Sequence, residues 1–347
     1  MGEHSRRRFL RNGTAVATLG LTATAGCVGS LTGSDGGSLD SLTVAYVPIY
    51  PNMQHYVMKE EGLYDDVAAD VTTKRFSSGP NVVKAFASDE VDVALFGITP
   101  AMVLTDKGKQ AGVLAANSRE GFKVMGTSDF ADLYEKHGEQ AFSKFEEQNG
   151  RKVRFGAPPD GSVPDVVLRY WLEEDLGVGK LDSVVSKSKV PPAKAPQTMQ
   201  AGDIDATMIQ EPFATVIGNA DGFREVAWSG EILDGHPVTV MFAQKRVLDA
   251  TETAEALVSA HVDATTFVRN NPKQAAKDAS AVIGSGVSDD LAIAAMESKA
   301  SNYLSDPHAI TSQTKQMAEY VAAVGNTDGV VSNENLFHFD AYDAVTE

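Results

Sequence analysis

Between residue 41 and about residue 245, short β-branched runs alternate with stretches of helical period. The runs 42–46, 71–76, 91–96, 113–117, 122–125, 152–155, 204–209, 223–228 and 238–242 have the length and composition of strands. Helical patterns fall between several of them, over 53–61, 81–88, 101–107, 165–174 and 195–201. This alternation predicts an α/β fold with largely parallel sheets. From about residue 247 onward the pattern predicts no more strands. Helical stretches run through 252–269, 273–283, 288–303 and 307–323. An all-helical last quarter after an α/β core is expected to pack against one lobe of that core. No repeat of fixed period is visible.

Composition narrows the partners. Formal net charge is −17 over 347 residues, and residues 1–27 carry +3 of it, so the remainder is near −20. The acidity is spread along the chain, not gathered in a tail. With 43% hydrophobic residues, it describes a folded core under an acidic surface. Such a surface repels nucleic acid, and no nucleic-acid partner is expected.

The first residues read as an address. Ser5-Arg6-Arg7-Arg8-Phe9-Leu10-Arg11 has the form of a twin-arginine export signal, followed by a mildly apolar stretch over 14–25. That stretch is too short and too rich in Thr, Ala and Gly to span a bilayer of roughly 30 Å. It ends in Thr24-Ala25-Gly26-Cys27, similar to a lipoprotein cleavage box, and Cys27 is the only cysteine. Residues 1–27 are thus expected to be a removed signal, with Cys27 lipidated and holding the protein on the outer face of the cell membrane. Residues 28–40, rich in Gly, Ser, Thr and Asp, read as a flexible tether. Dispersed acidity together with this signal suggests a salt-adapted, haloarchaeal protein. Residues 41–347 then have the length of two lobes.

One arrangement occurs three times: a strand, a Ser or Thr, and a Pro in the first turn of a helix. The instances are Phe76-Ser77-Ser78-Gly79-Pro80, Phe96-Gly97-Ile98-Thr99-Pro100, and Phe155-Gly156-Ala157 running on to Ser162-Val163-Pro164. Proline suits the first helical turn and Ser or Thr suits the cap before it. Helix N-termini favour anions, and strand ends line the ligand crevice of open α/β sheets.

Several segments resemble a known family. Tyr46-Val47-Pro48 through Lys59-Glu60-Glu61-Gly62-Leu63-Tyr64 is similar to the opening of the nitrate/sulfonate/taurine/bicarbonate-type substrate-binding proteins of ABC importers. Ala87-Ser88-Asp89-Glu90-Val91-Asp92-Val93-Ala94 resembles the family's segment around a G-x-V-D motif. A related stretch runs from Pro191-Pro192 to Gly202-Asp203-Ile204-Asp205-Ala206, then Glu211-Pro212-Phe213. Gly235-His236-Pro237 before an apolar strand resembles one branch of these proteins. The resemblance covers about 42–270.

It implies a two-lobed periplasmic-binding-protein fold (type II), with the helical C-terminal region packed on lobe one. Lobe one would comprise 41–123 and 239–347, and lobe two 124–238. A small oxyanion or zwitterion would bind between them, for delivery to an ABC permease and its ATPase. Ser78, Gly79 and Thr99 are the expected lobe-one contacts, and Gly161 and Ser162 those of lobe two. The loop from Pro48 to His55 would form a cleft wall, with Asn52, Gln54 and His55 as its polar reach and Tyr46 and Tyr50 as apolar faces. Ser118 would line the hinge. Glu211 would face the cleft, paired with a cation or a ligand amine, or else cap the helix that follows Pro212. His236 is either a ligand donor or a satisfied loop histidine. Lys187, Lys189 and Lys194 are expected to be solvated.

No G-x-x-x-x-G-K-[ST], H-E-x-x-H or G-x-S-x-G pattern is present, and one cysteine excludes a Cys-based metal site. Neither cofactor, metal nor catalytic residue is expected, and the protein is expected to act as a monomer. The alternatives are a binder of a thiamine-pathway pyrimidine or other organic solute, a sensory binding protein, and a menaquinone-pathway-like lyase on the same fold. The export signal speaks against the lyase.

Overall fold

Two mixed sheets carry the described residues, 37–283 and 287–347 of this computed structural model. The twin-arginine segment, Cys27 and most of the 28–40 tether lie outside them. Among the described residues no helix is long and apolar enough to cross a membrane.

The strands are β1 (Ser41–Tyr46), β2 (Asp70–Arg75), β3 (Val93–Gly97), β4 (Ala111–Arg119), β5 (Phe122–Thr127), β6 (Arg154–Ala157), β7 (Ser186–Lys189), β8 (Ala206–Gln210), β9 (Phe223–Trp228), β10 (Pro237–Gln244) and β11 (Asn302–Tyr303). One sheet has the order β11-β4-β10-β3-β1-β2 and the other β7-β6-β8-β5-β9. The chain passes from the first to the second between β4 and β5 and returns between β9 and β10. Each sheet is the centre of one lobe.

The expectation of largely parallel sheets needs correction. β1 pairs in parallel with β2 and β3, and β6 with β7 and β8. The strands next to the two crossings, β10 and β5, run antiparallel to both of their neighbours. A strand that enters a sheet directly from the other lobe needs no crossover helix, so the parallel rule does not bind it. A second correction concerns residues 288–303. The helix there is Asp289–Met296, and Asn302 and Tyr303 instead pair with Arg119 and Ser118 at the free edge of β4.

Burial follows the period of the strands. Val44 and Tyr46 pack on one face of the first sheet with Leu95, Met241 and Leu257, whereas Ala45 packs on the other with Phe86, Phe96 and Phe242. β10 lies between two neighbours and is buried along its whole length, which explains its nearly continuous apolar sequence. Helices Thr251–Asn270 and Pro272–Ile283 cover the first face, and Gly79–Ala87 and Ile98–Asp106 the second.

The two G-x-V-D-like segments do the same work in each lobe. Asp92 accepts the Thr43 N–H at 2.8 Å at the start of β1 and pairs with Arg246. Asp205 accepts the Arg154 N–H at 2.8 Å at the start of β6 and pairs with Arg154 and Arg151. Burial alone would raise the Asp205 carboxyl, but hydrogen bonds from Arg154 and Arg151 outweigh it and hold the group down at about 2. Asp205→Asn is therefore expected to cost about 2 kcal/mol at neutral pH, as expected for loss of charge-assisted bonds. The folded value lies below that of the unfolded chain, about 3.9, so this stabilisation is complete above about pH 4 and fades as pH falls toward about 2. Urea midpoints of parent and variant should converge over that range. A gap that stayed constant would place the effect in packing and not in charge.

Candidate functional site

A cavity of about 400 Å³ lies between the lobes, at the end of both sheets where β1, β3, β6, β7 and β8 finish. Its wall on the first lobe includes Val47, Ser78, Gly79, Phe96, Gly97 and Thr239. On the second it includes Phe122, Pro159, Ser162, Val190, Pro192 and Gln210. Two helices open onto it. Ser78 stands at the N-cap position of Gly79–Ala87, with Pro80 in the first turn, and Ser162 at that of Val163–Tyr170, with Pro164 in the first turn. Neither hydroxyl caps its own helix: the Ser162 hydroxyl donates to the Pro159 carbonyl at 2.6 Å. Among the described residues no side chain bonds the first-turn N–H groups at either terminus.

Of the residues singled out from sequence, Ser78, Gly79 and Ser162 come together on the wall. Thr99 does not reach it. Its helix begins at Ile98, so Thr99 sits inside the first turn, and its hydroxyl donates across the cleft to the Gly161 carbonyl at 2.8 Å. Gly161 takes a positive φ of 76° and its N–H donates to Asp165, which fixes the loop ahead of the second helix. This Thr99–Gly161 bond ties the lobes together beside the cavity.

The loop from Pro48 to His55 is packed inside the first lobe and forms little of the wall. Asn52 donates to the Val47 and Leu95 carbonyls at 3.0 and 3.1 Å, and Gln54 to the Asn117 carbonyl at 2.8 Å. The His55 ring lies tilted against Tyr46 with ring centroids 3.9 Å apart, and its Nδ1 lies 2.8 Å from the Tyr64 hydroxyl. Tyr50 is buried and donates to the Ala292 carbonyl at 3.3 Å. These polar groups tie the loop to strand and helix backbone elsewhere in the first lobe. Ser118 lies 2.9 Å from the Thr239 hydroxyl, one layer behind the wall.

Glu211 is buried behind the cavity. Its Oε2 accepts the Thr215 N–H at 2.9 Å in helix Phe213–Gly218, and its Oε1 lies 3.5 Å from Lys123 Nζ. His236 is buried, with its ring parallel to Phe122 at 5.9 Å and Nδ1 3.2 Å from the Pro237 carbonyl. Lys187 departs from the expected solvated state. It pairs at 2.6 Å with the fully buried Asp165 and at 2.5 Å with Asp160, because a buried carboxylate requires a counter-ion.

The wall carries little charge. Lys189 is its one cationic side chain, and it is held 3.0 Å from Asp160. Hydrogen bonds from Lys187 and Lys189 hold the Asp160 carboxyl down at about 2, so it is a carboxylate at neutral pH. Burial pushes His236 and His261 down to about 4 and His55 to about 3, so all three are neutral at pH 7. Among the described residues no group of three or more His, Cys, Asp or Glu is placed to hold a metal ion. Sequence reasoning missed Phe122, Gln210, Val238 and Thr239, although each lies at a strand end facing the other lobe. It also missed the Pro158-Pro159 and Pro191-Pro192 pairs, which follow β6 and β7.

Two sheets joined by two crossings around a central cavity define the periplasmic-binding class of fold. The chain belongs to the NMT1-like family, whose model matches residues 35–284. A candidate binding protein of Brucella abortus (strain 2308) is 26% identical over 221 residues, 63% of this chain and 63% of that protein. The chain thus aligns with somewhat under two thirds of that relative's length. The ligand-binding component of an ABC-type import system from Staphylococcus aureus, solved with zinc bound, superposes with a TM-score of 0.72 at 18% identity, over 89% of this chain and 99% of that one. The periplasmic nitrate-binding protein of Synechocystis PCC 6803 gives 0.73 at 16% identity, over 90% and 89%. At these identities the likeness is one of fold.

Proposed function

We propose that the protein is the extracytoplasmic solute-binding component of an ABC importer. It captures a small solute in the cleft between the lobes built on the two sheets, with the boundaries between β4 and β5 and between β9 and β10 and not at 123 and 239, and presents the closed form to a permease. The carrying observation is the cavity between the lobes, onto which a helix N-terminus without a side-chain cap bond opens from each side. No bond in the solute changes. Its polar end exchanges water for backbone N–H groups while its body leaves water for apolar walls. Export through the twin-arginine segment and anchoring at Cys27 complete the reading.

The composition of the wall bears on the solute. Phe96, Phe122, Val238 and several prolines outnumber its polar groups, and its lysine is already paired. A bare inorganic oxyanion would leave most of this surface without a partner. The lining favours an organic solute with an apolar body and one polar or anionic end over nitrate or bicarbonate.

The test is a thermal-shift screen of the purified protein in high salt, with nitrate, bicarbonate, taurine, alkanesulfonates and small organic acids and amides. A solute at about 100 times its Kd adds about 2.7 kcal/mol to the folded state, a rise of a few degrees. A well-folded sample that responds to nothing in the panel would count against the importer role.

A further inference from the structure

Five carboxamide side chains are buried among the described residues: Asn52, Gln54, Asn117, Gln210 and Gln244. Four are engaged by the protein. Asn52, Gln54 and Gln244 donate to backbone carbonyls, and Asn117 donates to Asn52 at 3.4 Å. Gln210 differs. It is 2% exposed, its side chain makes no hydrogen bond to the described residues, and it lines the cavity. Unlike Gln54 Oε1 and Asn117 Oδ1, which are sealed from solvent without a partner, the Gln210 amide is not enclosed, so its free hydrogen-bonding groups open onto the cavity and are available to a solute.

Its neighbour adds to this. Gln210 ends β8 and stands opposite Phe122, the first residue of β5, in an antiparallel pair. Residues directly opposite project from the same face of a sheet, and Phe122 also lines the cavity. The two therefore offer a free amide beside an aromatic face. A carboxamide presents an N–H donor and a carbonyl acceptor side by side. Its complement is a solute edge that carries an acceptor and a donor on neighbouring atoms, as in a carboxamide, a lactam or a cyclic urea. Nitrate or a sulfonate only accepts, and would leave the Gln210 oxygen facing another oxygen.

We propose that Gln210 is the specificity-determining residue of the cleft, and that it selects flat organic solutes bearing an amide-type donor–acceptor edge, with their body against Phe122. This rests on the reading of the cavity as the solute site. Sites built to hydrogen-bond a group reject analogues that lack it, because the protein partner is left unpaired.

The experiment is calorimetric titration of the full chain with benzamide, 2-pyridone and ethyleneurea, set against benzoate, nitrate and ethanesulfonate. Parent protein, Gln210→Met and Gly79→Trp are compared, with melting curves to confirm folding. The expected result is a preference of at least roughly tenfold for the edge-bearing solutes in the parent. The near-isosteric Gln210→Met should abolish that preference. No preference in the parent, a preference that survives in Gln210→Met, or no binding of any probe would each overturn the proposal. Binding lost in Gly79→Trp but untouched in Gln210→Met would overturn the role of Gln210 alone. Binding that survives in Gly79→Trp would overturn the cleft reading beneath it.

Discussion

Replacing Gly97 with valine is expected to weaken solute binding roughly a hundredfold while both sheets stay folded. Gly97 ends β3 with φ −64°, a conformation open to any residue, so backbone freedom does not explain it. Space does. A Cβ at this position would lie 2.9 Å from Val163 Cγ2 and 3.1 Å from Pro100 Cδ. Val163 belongs to the helix of the other lobe and packs in a cluster shared with Phe96 and Ile98, so the clash falls where the two lobes meet. Two further carbons would force the lobes apart beside the Thr99–Gly161 bond, which spans 2.8 Å. Opening there admits water to the apolar wall and breaks that bond. A hundredfold loss is about 2.7 kcal/mol, the sum expected from one hydrogen bond and a partial loss of apolar burial. Calorimetry gives the affinity, and urea melts monitored by circular dichroism report folding. Affinity within about threefold of the parent would mean that the lobes need not meet at Gly97.

Much of the fold was legible because burial and period coincide. The interior strands β1, β3, β4, β5 and β10 have apolar runs, and their positions could be read directly. β7, with the sequence SKSK, and the two-residue β11 could not be read. Each lies at a sheet edge, where pairing is decided by the neighbouring backbone and not by side-chain burial. The antiparallel course of β5 and β10 was hidden for a related reason: sequence period records which face is buried, not which way a strand runs.

The site was legible in part. Proline after Ser marked both helix termini on the wall, since that pattern is a local property of the chain. Asn52, Gln54 and His55 drew attention as polar residues in a loop, yet the loop is interior and its polar side chains bond the surrounding protein, not the cavity. Whether a polar side chain faces a ligand or a carbonyl depends on contacts 40 or more residues away, such as those of Asn52 with Leu95 and Gln54 with Asn117. Gln210 shows the converse. It sits at the end of an otherwise apolar strand, and only the empty space beside it distinguishes it from an ordinary strand terminus.

Gly79→Trp is expected to abolish binding, by roughly a thousandfold or more, without unfolding the protein. The argument differs from that for Gly97. Gly79 is the first residue of its helix, and a Cβ there would meet nothing within 4 Å. A large side chain therefore has room, and the fold should tolerate it. Yet Gly79 lines a cavity of only about 400 Å³, and an indole covers about 200 Å² of surface. It would fill the mouth of the cavity where the solute's polar end is expected to meet the helix N–H groups. Gly79→Ala is the control: one methyl in open space should change affinity by no more than a few-fold. A plug and a wedge thus separate two properties of one cleft. Loss in Gly79→Trp with parent-like binding in Gly97→Val would mean that the solute is held without close approach of the lobes. Loss in both would mean that occupancy and closure are coupled, which an importer requires if only the filled form is to engage its permease. Parent-like binding and melting in Gly79→Trp would remove the solute from this cavity altogether.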